Sequence, residues 1–351
     1  MTALVRLLSL ATATPAHILP QHELMKAAGA YFGSNGVDVE RLLPAFLNTG
    51  IESRYLCEPL EWYQRPIDWK LRNDAFLRHA PALLETAALR AVADAGLTIA
   101  EIDQIVTVCS TGIATPSLDA LLMERLPFRS DVGRLPIFGL GCAGGVTGLG
   151  AASRLARAEP GTNVLFLVVE LCTLTFRSGD RRKANIIATA LFGDGAAAAV
   201  VRAQEAANDN PAILHAGERR WPGTLDVMGW DVAEDGLSVL FSRDIPTLVR
   251  ERLRPAAEAY LEPRGLRLAD IDGFIAHPGG AKVLDALEDV FGLQTGGMVD
   301  ARAVLRDYGN MSAATVMFVL DRALQRGLRG HHLMSALGPG FTGSFLTLQA
   351  A

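Results

Sequence analysis

The chain has 351 residues, half of them hydrophobic and a fifth charged, with a formal net charge of −5. This length exceeds one ordinary domain, so two domains or two halves of one body are expected. The slight acidity argues against a nucleic-acid partner, and apolar runs far shorter than about 20 residues argue against a membrane span. Four cysteines without CxxC spacing predict reduced thiols in a cytoplasmic protein and no metal site.

Short apolar strands and helices alternate along the first half of the chain. The N-terminal segment is typical of a strand, and residues 81–95 carry apolar side chains at helical spacing up to Gly96. The small residues of 139–157 predict a second helix. Apolar strands are predicted at 105–108, 134–138 and 164–169. The alternation predicts a mixed, largely parallel sheet that is buried on both faces.

An internal repeat runs through the chain. Residues 96–108 (GLTIAEIDQIVTV) and 265–277 (GLRLADIDGFIAH) match at an offset of 169 residues, with Gly, Leu, Ile and Asp in register. Such a match is hard to obtain by chance, so we interpret it as the duplication of one α/β unit. The predicted halves are residues 1–205 and 206–351, and the polar stretch at 204–211 is the candidate linker between them.

Cys142 lies in the sequence GLGCAGG (139–145), where a predicted strand passes into the helix of small residues. Free backbone N–H groups and the positive end of the helix favour a thiolate at such a position. The glycines allow a substrate to approach closely and let the Cys142 amide serve an oxyanion hole. We predict a nucleophilic cysteine with a lowered pKa. A small buried thiol on a tightly packed helix is the alternative that the local motif leaves open.

Two polar residues of the second half are candidate partners of Cys142. His277 follows an apolar strand and precedes a Pro-Gly-Gly turn, a position at which open α/β sheets present site residues. Asn310 begins a second helix of small residues, next to Met311, which the repeat offset places opposite Cys142. A pseudo-twofold axis would bring the two helix starts together. A core histidine and an ordinary helix N-cap are the alternatives for these two residues.

Several longer motifs give the chain its resemblance to a known family. They are, in chain order, GLGCAGG (139–145), ALFGDGAAAA (190–199), IAHPGG (275–280), YGNMSAA (308–314) and GPG (338–340). With them the chain resembles the type III polyketide synthases, the chalcone and stilbene synthase family, and within it the bacterial branch. The resemblance implies a thiolase-like, duplicated five-layered αβαβα fold. It also implies a homodimer that uses acyl-CoA and malonyl-CoA, with no metal and no other cofactor.

The family's catalytic roles match the three residues already described. By resemblance, Cys142 attacks the starter thioester and holds the growing chain. His277 and Asn310 would bind the thioester oxygen of malonyl-CoA while decarboxylation turns it into an enolate. Phe192 matches a phenylalanine between the CoA tunnel and the cavity, with core packing as its alternative. The resemblance further implies substrate-binding positions at Ser110, Thr111, Thr115, Thr175, Ser312, Leu337 and Gly338.

The chain departs from the family pattern at positions that concern the substrate. Val239 occupies the position of the family's second gatekeeping phenylalanine, which predicts a wider cavity. Thr115 matches a position that reaches across the dimer interface. Among the basic residues that hold the CoA phosphates only Arg41 is a candidate, because neighbouring positions carry Pro44 and Asn48.

A wider cavity predicts an aliphatic acyl-CoA starter and, after repeated condensation, an alkylpyrone or alkylresorcinol. An initiating ketoacyl-carrier-protein synthase is the alternative enzyme, since it shares the Cys-His-Asn set. Its histidine is usually followed by Gln-Ala-Asn rather than by Pro-Gly-Gly, which counts against it. A catalytically silent partner subunit is the alternative from another class, and the presence of all three site residues counts against that.

Overall fold

The structure is a computed structural model that describes residues 3–34, 43–205 and 209–351. The strands of the first half are β1 (Leu4–Ala13), β2 (His17–Pro20), β3 (Ser53–Leu56), β4 (Gln104–Cys109), β5 (Gly133–Phe138), β6 (Asn163–Leu171) and β7 (Asp194–Gln204). Its helices are α1 (Gln21–Ser34), α2 (Leu43–Leu47), α3 (Leu60–Tyr63), α4 (Trp69–Asp94), α5 (Leu118–Met123), α6 (Gly144–Ala158) and α7 (Lys183–Leu191).

The second half repeats this alternation with fewer elements. Its strands are β8 (Ala212–Arg220), β9 (Met228–Ala233), β10 (Gly236–Phe241), β11 (Gly273–Ala276), β12 (Gly330–Gly338) and β13 (Thr342–Ala350). Its helices are α8 (Ile245–Leu261), α9 (Ala281–Phe291), α10 (Val299–Tyr308) and α11 (Thr315–Arg326). Within the described residues, no helix is both long enough and apolar enough to cross a membrane.

The main sheet has the strand order β11-β12-β13-β8-β1-β7-β6-β4-β5. Its two sets of strands, one from each half, are joined by a short antiparallel contact between β1 and β8. Across the described strands, three of its eight pairings are parallel: β4 with β5, β4 with β6, and β11 with β12. The prediction of a largely parallel sheet is therefore wrong. A tight turn joins β12 to β13 and permits only antiparallel pairing, and β7 runs back between β6 and β1.

Helices and strands form five layers. α6 packs against β4, β6 and β7 of the first half and against β8, β12 and β13 of the second, and α11 contacts β1, β7 and β11. These two helices therefore lie between the two sets of strands. α4 packs on β1, β6 and β7, and α8 packs on β8 and β13. Alternate residues of β6 face the two sides, with Phe166 in the α6 core and Leu165 and Leu167 in the α4 core. The predicted α/β fold with five layers is confirmed.

The internal repeat corresponds to the same contacts in both halves. Asp103 N donates to Asn163 O at 2.9 Å, and Asn163 N donates back to Asp103 Oδ2 at 2.8 Å. Asp272 and His331 make the same pair of hydrogen bonds, at 2.7 and 2.8 Å. The aspartate shared by the two repeats thus ties equivalent strands together. The boundary at 205 and 206 stays a prediction, because residues 206–208 lie outside the described residues.

Two helices differ from their predicted extents. α4 begins at Trp69 rather than near residue 81, because Asp68 caps it by accepting a hydrogen bond from Leu71 N at 2.7 Å. Pro81 is buried inside this helix. The helix predicted over 139–157 starts instead with a 3-10 turn at Gly141–Ala143, from which α6 continues. This turn carries Cys142.

Candidate active site

Cys142, His277 and Asn310 line one cavity of about 470 Å³. Cys142 lies in the turn before α6, His277 directly follows β11, and Asn310 precedes a second 3-10 turn at Ser312–Ala314. All three residues are more than nine-tenths buried. The structure thus brings together the three residues that the sequence singled out, and their catalytic roles stay predictions.

The two helix starts meet, as the pseudo-twofold relation predicts. A Cβ on Gly145 would lie 2.3 Å from Ala313 O, and a Cβ on Gly144 would lie 3.1 Å from Ala313 Cβ. A side chain at either position would force the two turns apart, so these glycines serve close packing. The turns begin at Gly141 and Ser312, 171 residues apart, so their register differs by two residues from the sequence offset.

The Asn310 side chain connects the two parts of the site. Its Nδ2 donates to Gly279 O at 3.2 Å, and its Oδ1 accepts from Ser312 N at 2.8 Å. The second bond is the local capping contact considered from the sequence. The first holds the turn that follows His277. An amide has two N–H donors, so within the described part of the chain one N–H of Asn310 is left for a ligand in the cavity.

Burial dominates the electrostatics of Cys142 and His277. It raises the pKa of the Cys142 thiol to about 12 and lowers the pKa of the His277 imidazole to about 3. Neither ring nitrogen of His277 has a hydrogen-bond partner among the described residues. Burial therefore opposes the lowered thiol pKa predicted from the sequence, because it penalises each charge on its own. Transfer of the thiol proton to His277 would create both charges together, so that each stabilises the other.

Glu170, which the sequence reasoning missed, is a further titratable group at the site. It is fully buried in β6 and accepts hydrogen bonds from Ser110 N (3.0 Å), Ser110 Oγ (2.7 Å) and Thr111 Oγ1 (2.8 Å). Burial raises the pKa of Glu170 to about 7, and its charge raises the pKa of Cys142. The nearby Ser312 side chain lowers the pKa of each of these two groups. A lone acid in an otherwise apolar strand was the signal that could have revealed it.

A second cavity, of about 360 Å³, also reaches Cys142. Phe192 and Val239 line this cavity, and both also line a third, mostly apolar cavity. These two side chains thus separate the space at Cys142 from the larger apolar space. Trp230 and Phe241 pack against the Phe192 ring, with centroid distances of 6.0 and 6.1 Å. Phe192 therefore both packs in a small aromatic cluster and faces two cavities.

The other predicted cavity residues fall into two groups. Those that line one of the three cavities are Ser312, Thr175 and Leu337. Ser110 and Thr111 are not among the lining residues of the two cavities at Cys142, and their hydroxyl groups donate hydrogen bonds to Glu170. Thr115 is exposed on the loop before α5. Substrate binding at these positions stays a prediction.

Gly338 and Arg41 complete the predicted set. A Cβ on Gly338 would lie 2.6 Å from Leu140 O, so this glycine packs directly on the turn that carries Cys142. Arg41 lies outside the described residues. The four cysteines are free thiols, as predicted. In the described chain, no group of three or more His, Cys, Asp or Glu side chains is placed to hold a metal ion.

The fold and the site together define a class of protein, the condensing enzymes of thiolase fold. Residues 63–205 match the family model for the N-terminal domain of chalcone and stilbene synthases, and residues 213–349 match the model for the C-terminal domain. The chain therefore belongs to the chalcone and stilbene synthase family. It is a type III polyketide synthase, an acyltransferase that works by decarboxylative condensation. The alternative of an initiating ketoacyl-carrier-protein synthase is thereby set aside.

Individual relatives agree with this assignment. A putative chalcone synthase of Bacillus subtilis is 38% identical over 97% of this chain and 97% of its own length. The 1,3,6,8-tetrahydroxynaphthalene synthase of Streptomyces peucetius is 37% identical over 96% of this chain and 91% of its own. The crystal structure of the corresponding Streptomyces coelicolor enzyme has a TM-score of 0.92 at 29% identity, covering 99% of this chain and 100% of that one.

Proposed function

We propose that this type III polyketide synthase loads an aliphatic acyl-CoA onto Cys142 and extends it repeatedly with malonyl-CoA, giving an alkylpyrone or alkylresorcinol. The observation that carries the proposal is the apolar cavity on the far side of Phe192 and Val239. Its walls come largely from α1, α7 and the 3-10 turn at Cys172–Thr175. The apolar residues among them include Leu24, Ala28, Phe32, Leu56, Phe176 and Ala188.

The energetics favour an alkyl chain in this space. Burying a methylene group contributes about 0.8 kcal/mol, or about a factor of four in binding. A starter that passes Phe192 and Val239 gains this contribution for each methylene in the cavity. Val239 leaves more room for that passage than the phenylalanine of the family pattern would. Discrimination between starters is therefore expected to depend on chain length.

The first chemical step is loading of the cysteine. The Cys142 thiol transfers its proton to His277 and the sulfur attacks the starter carbonyl. The C–S bond to CoA breaks, and CoA leaves as the thiol after taking that proton. Because burial lowers the pKa of His277, the imidazole returns to its neutral form once the sulfur is acylated. It can then donate an N–H without acting as a strong acid.

The second step is decarboxylative condensation. His277 and the free N–H of Asn310 hold the thioester oxygen of malonyl-CoA, and loss of CO2 leaves its bonding electrons in an enolate at that oxygen. Each such donor is typically worth about 3–4 kcal/mol in the transition state. The enolate carbon attacks the acyl carbonyl on Cys142 and the thiolate leaves, giving a chain two carbons longer on CoA. Reloading of that chain onto Cys142 permits the next extension.

Acyl-CoAs of increasing length, incubated with malonyl-CoA and analysed by mass spectrometry, test the proposal. Ala28 lines the apolar cavity, whereas Ala30 on the same helix is exposed and supplies a matched control. Ala28→Phe should shift the optimum to shorter starters, and exclusion of about four methylenes corresponds to about 3 kcal/mol, or roughly 200-fold in kcat/KM. Ala30→Phe should keep the wild-type length profile.

Three outcomes would contradict the proposal. They are strict use of aromatic starters, formation of 1,3,6,8-tetrahydroxynaphthalene (the product named for the Streptomyces relatives), and an unchanged length profile in Ala28→Phe. Turnover by the wild type that is lost in a folded Cys142→Ala variant would show an active enzyme rather than a catalytically silent partner subunit.

We also propose that the enzyme works as a cytoplasmic homodimer without a metal or bound cofactor. Leu135 and Phe138 of the edge strand β5 are 40% and 58% exposed, and Ile113, on the same loop as Thr115, is 50% exposed. An apolar sheet edge of this kind is normally covered by a partner. Free thiols suit a reducing compartment. Phe138→Asp should shift the mass measured by analytical ultracentrifugation from dimer to monomer; a monomeric wild type would refute the assembly.

A further inference from the structure

A wide cleft leads from the surface to the cavity at Cys142. This cleft is open to solvent. The residues that line both the cleft and the cavity at Cys142 are Phe241, Ile245, Gly279 and Val283. A thioester with its acyl carbon at Cys142 would therefore extend its carrier through this cleft. To this extent the inference rests on the function proposed above.

Positive side chains from three separate elements line the cleft. Lys183 begins α7, Arg243 precedes α8, and Lys282 lies in the first turn of α9. All three are exposed, and among the described residues none of them has an ion-pair partner. The described lining of the cleft contains no aspartate or glutamate. Unpaired positive charge along a substrate path attracts an anionic ligand.

Backbone groups add to this positive potential. α7, α8 and α9 all have first-turn residues in the lining of the cleft. The first N–H groups of each helix lack partners within the helix and carry the positive end of its dipole. Arg181 also lines the cleft, but it borders a neighbouring cavity with Asp180, Asp231 and Asp235, so its charge is partly balanced. The three unbalanced cations are therefore the stronger candidates.

Two positions that carry basic residues in the family pattern are neutral here, and both line the same cleft. These two residues are Pro44 and Asn48. Neither side chain can pair with a phosphate as a cation does. A carrier with several phosphates would thus lose these contacts unless other elements supplied the charge.

We propose that Lys183, Arg243 and Lys282 hold the phosphates of the CoA carrier, and that they replace the basic residues missing at Pro44 and Asn48. Lysine and arginine both form charge-assisted hydrogen bonds to phosphate, with arginine able to bind two oxygens at once. The pantetheine arm then runs past Phe241 and Gly279 to Cys142. The site recognises the nucleotide end of the substrate, separately from the acyl group.

A comparison of malonyl-CoA with malonyl-pantetheine, which lacks the nucleotide and its phosphates, tests the assignment. In the double variant Lys183→Glu/Lys282→Glu, kcat/KM for malonyl-CoA should fall about tenfold further than kcat/KM for malonyl-pantetheine, because each exposed charge contact is worth a few-fold. Arg329→Glu changes an exposed cation that does not line the cleft, and it should keep the wild-type ratio. Added salt should weaken wild-type use of malonyl-CoA more than that of the double variant.

Calorimetric titration with free CoA and with 3′-dephospho-CoA supplies a readout that needs no turnover. Weaker CoA binding in the double variant, with an unchanged circular dichroism spectrum, would support the cation site. This result holds even if the wild type condenses no starter, because a lack of condensation would reject only the proposed function. Equal CoA affinity in wild type and double variant, or a loss confined to Arg41→Glu, would overturn the cation assignment.

Discussion

Replacing Glu170 by glutamine tests how a buried charge controls Cys142. The substitution keeps the size of a fully buried side chain and removes its negative charge. That charge raises the pKa of Cys142, so the pKa of the thiol should fall in the variant. For each unit by which it falls, the thiolate fraction near neutral pH rises about tenfold. Alkylation of Cys142 by iodoacetamide should therefore be faster in Glu170→Gln than in the wild type.

Glu170 also makes the stability of the protein depend on pH. Its pKa in the folded protein is about 7, above its ordinary 4.5, so the folded state binds this proton more tightly than the unfolded state does. The stability due to this proton is fully present below pH 4.5 and is lost as the pH rises through 7. The full shift corresponds to roughly 3 kcal/mol. Burial also raises the pKa of Asp194 to about 6, so wild type and Glu170→Gln both lose some further stability as the pH rises.

Urea unfolding at pH 5 and pH 8 measures the Glu170 contribution directly. Between these values the free energy of unfolding of Glu170→Gln should rise relative to the wild type by up to about 3 kcal/mol. Glu262→Gln, an exposed position, should show no such trend. Parallel pH profiles for wild type and Glu170→Gln, together with an unchanged alkylation rate, would refute the reasoning.

Three other substitutions examine packing, an ion pair and the enolate donor. Gly145→Ala should destabilise the protein by about 1–3 kcal/mol, because its Cβ would lie 2.3 Å from a backbone oxygen. Gly179→Ala is the control, since a Cβ on Gly179 meets nothing within 4 Å, and thermal unfolding compares the two variants. Glu288→Gln should lower the free energy of unfolding at pH 7 by about 3 kcal/mol. The side-chain hydrogen bond from Arg302 holds the pKa of Glu288 at about 2, so this stabilisation is present above pH 4.5 and is lost as the pH falls through 2. Urea titrations should therefore show a smaller difference in the free energy of unfolding between wild type and Glu288→Gln at pH 3 than at pH 7. Asn310→Ala should slow malonyl-CoA decarboxylation by about 100- to 1,000-fold while starter loading continues, and equal loss in both half-reactions would contradict a donor role.

Local sequence patterns predicted part of the secondary structure, and their failures have identifiable causes. Apolar runs located β4 and β6 because strands buried on both faces need continuous apolar sequence. The apolar residues of β5 located that strand as well, although it is an exposed edge strand. The start of α4 was missed because its first turns carry polar and charged residues and depend on the Asp68 cap. Strand direction was mispredicted because a strand's own sequence does not determine whether its neighbour runs parallel or antiparallel.

The sequence by itself determined the duplicated α/β architecture and the three residues at the centre of the site. Glycine-rich turns, buried strands and the repeat are properties of short segments, so they can be recognised without coordinates. Only the tertiary structure decided that the charge of Glu170 adds to burial in raising the pKa of Cys142, that Phe192 and Val239 face an apolar space, and that cations from three separate elements meet at one cleft. These features depend on distances between segments far apart in the chain, and such distances are set by how the five layers pack.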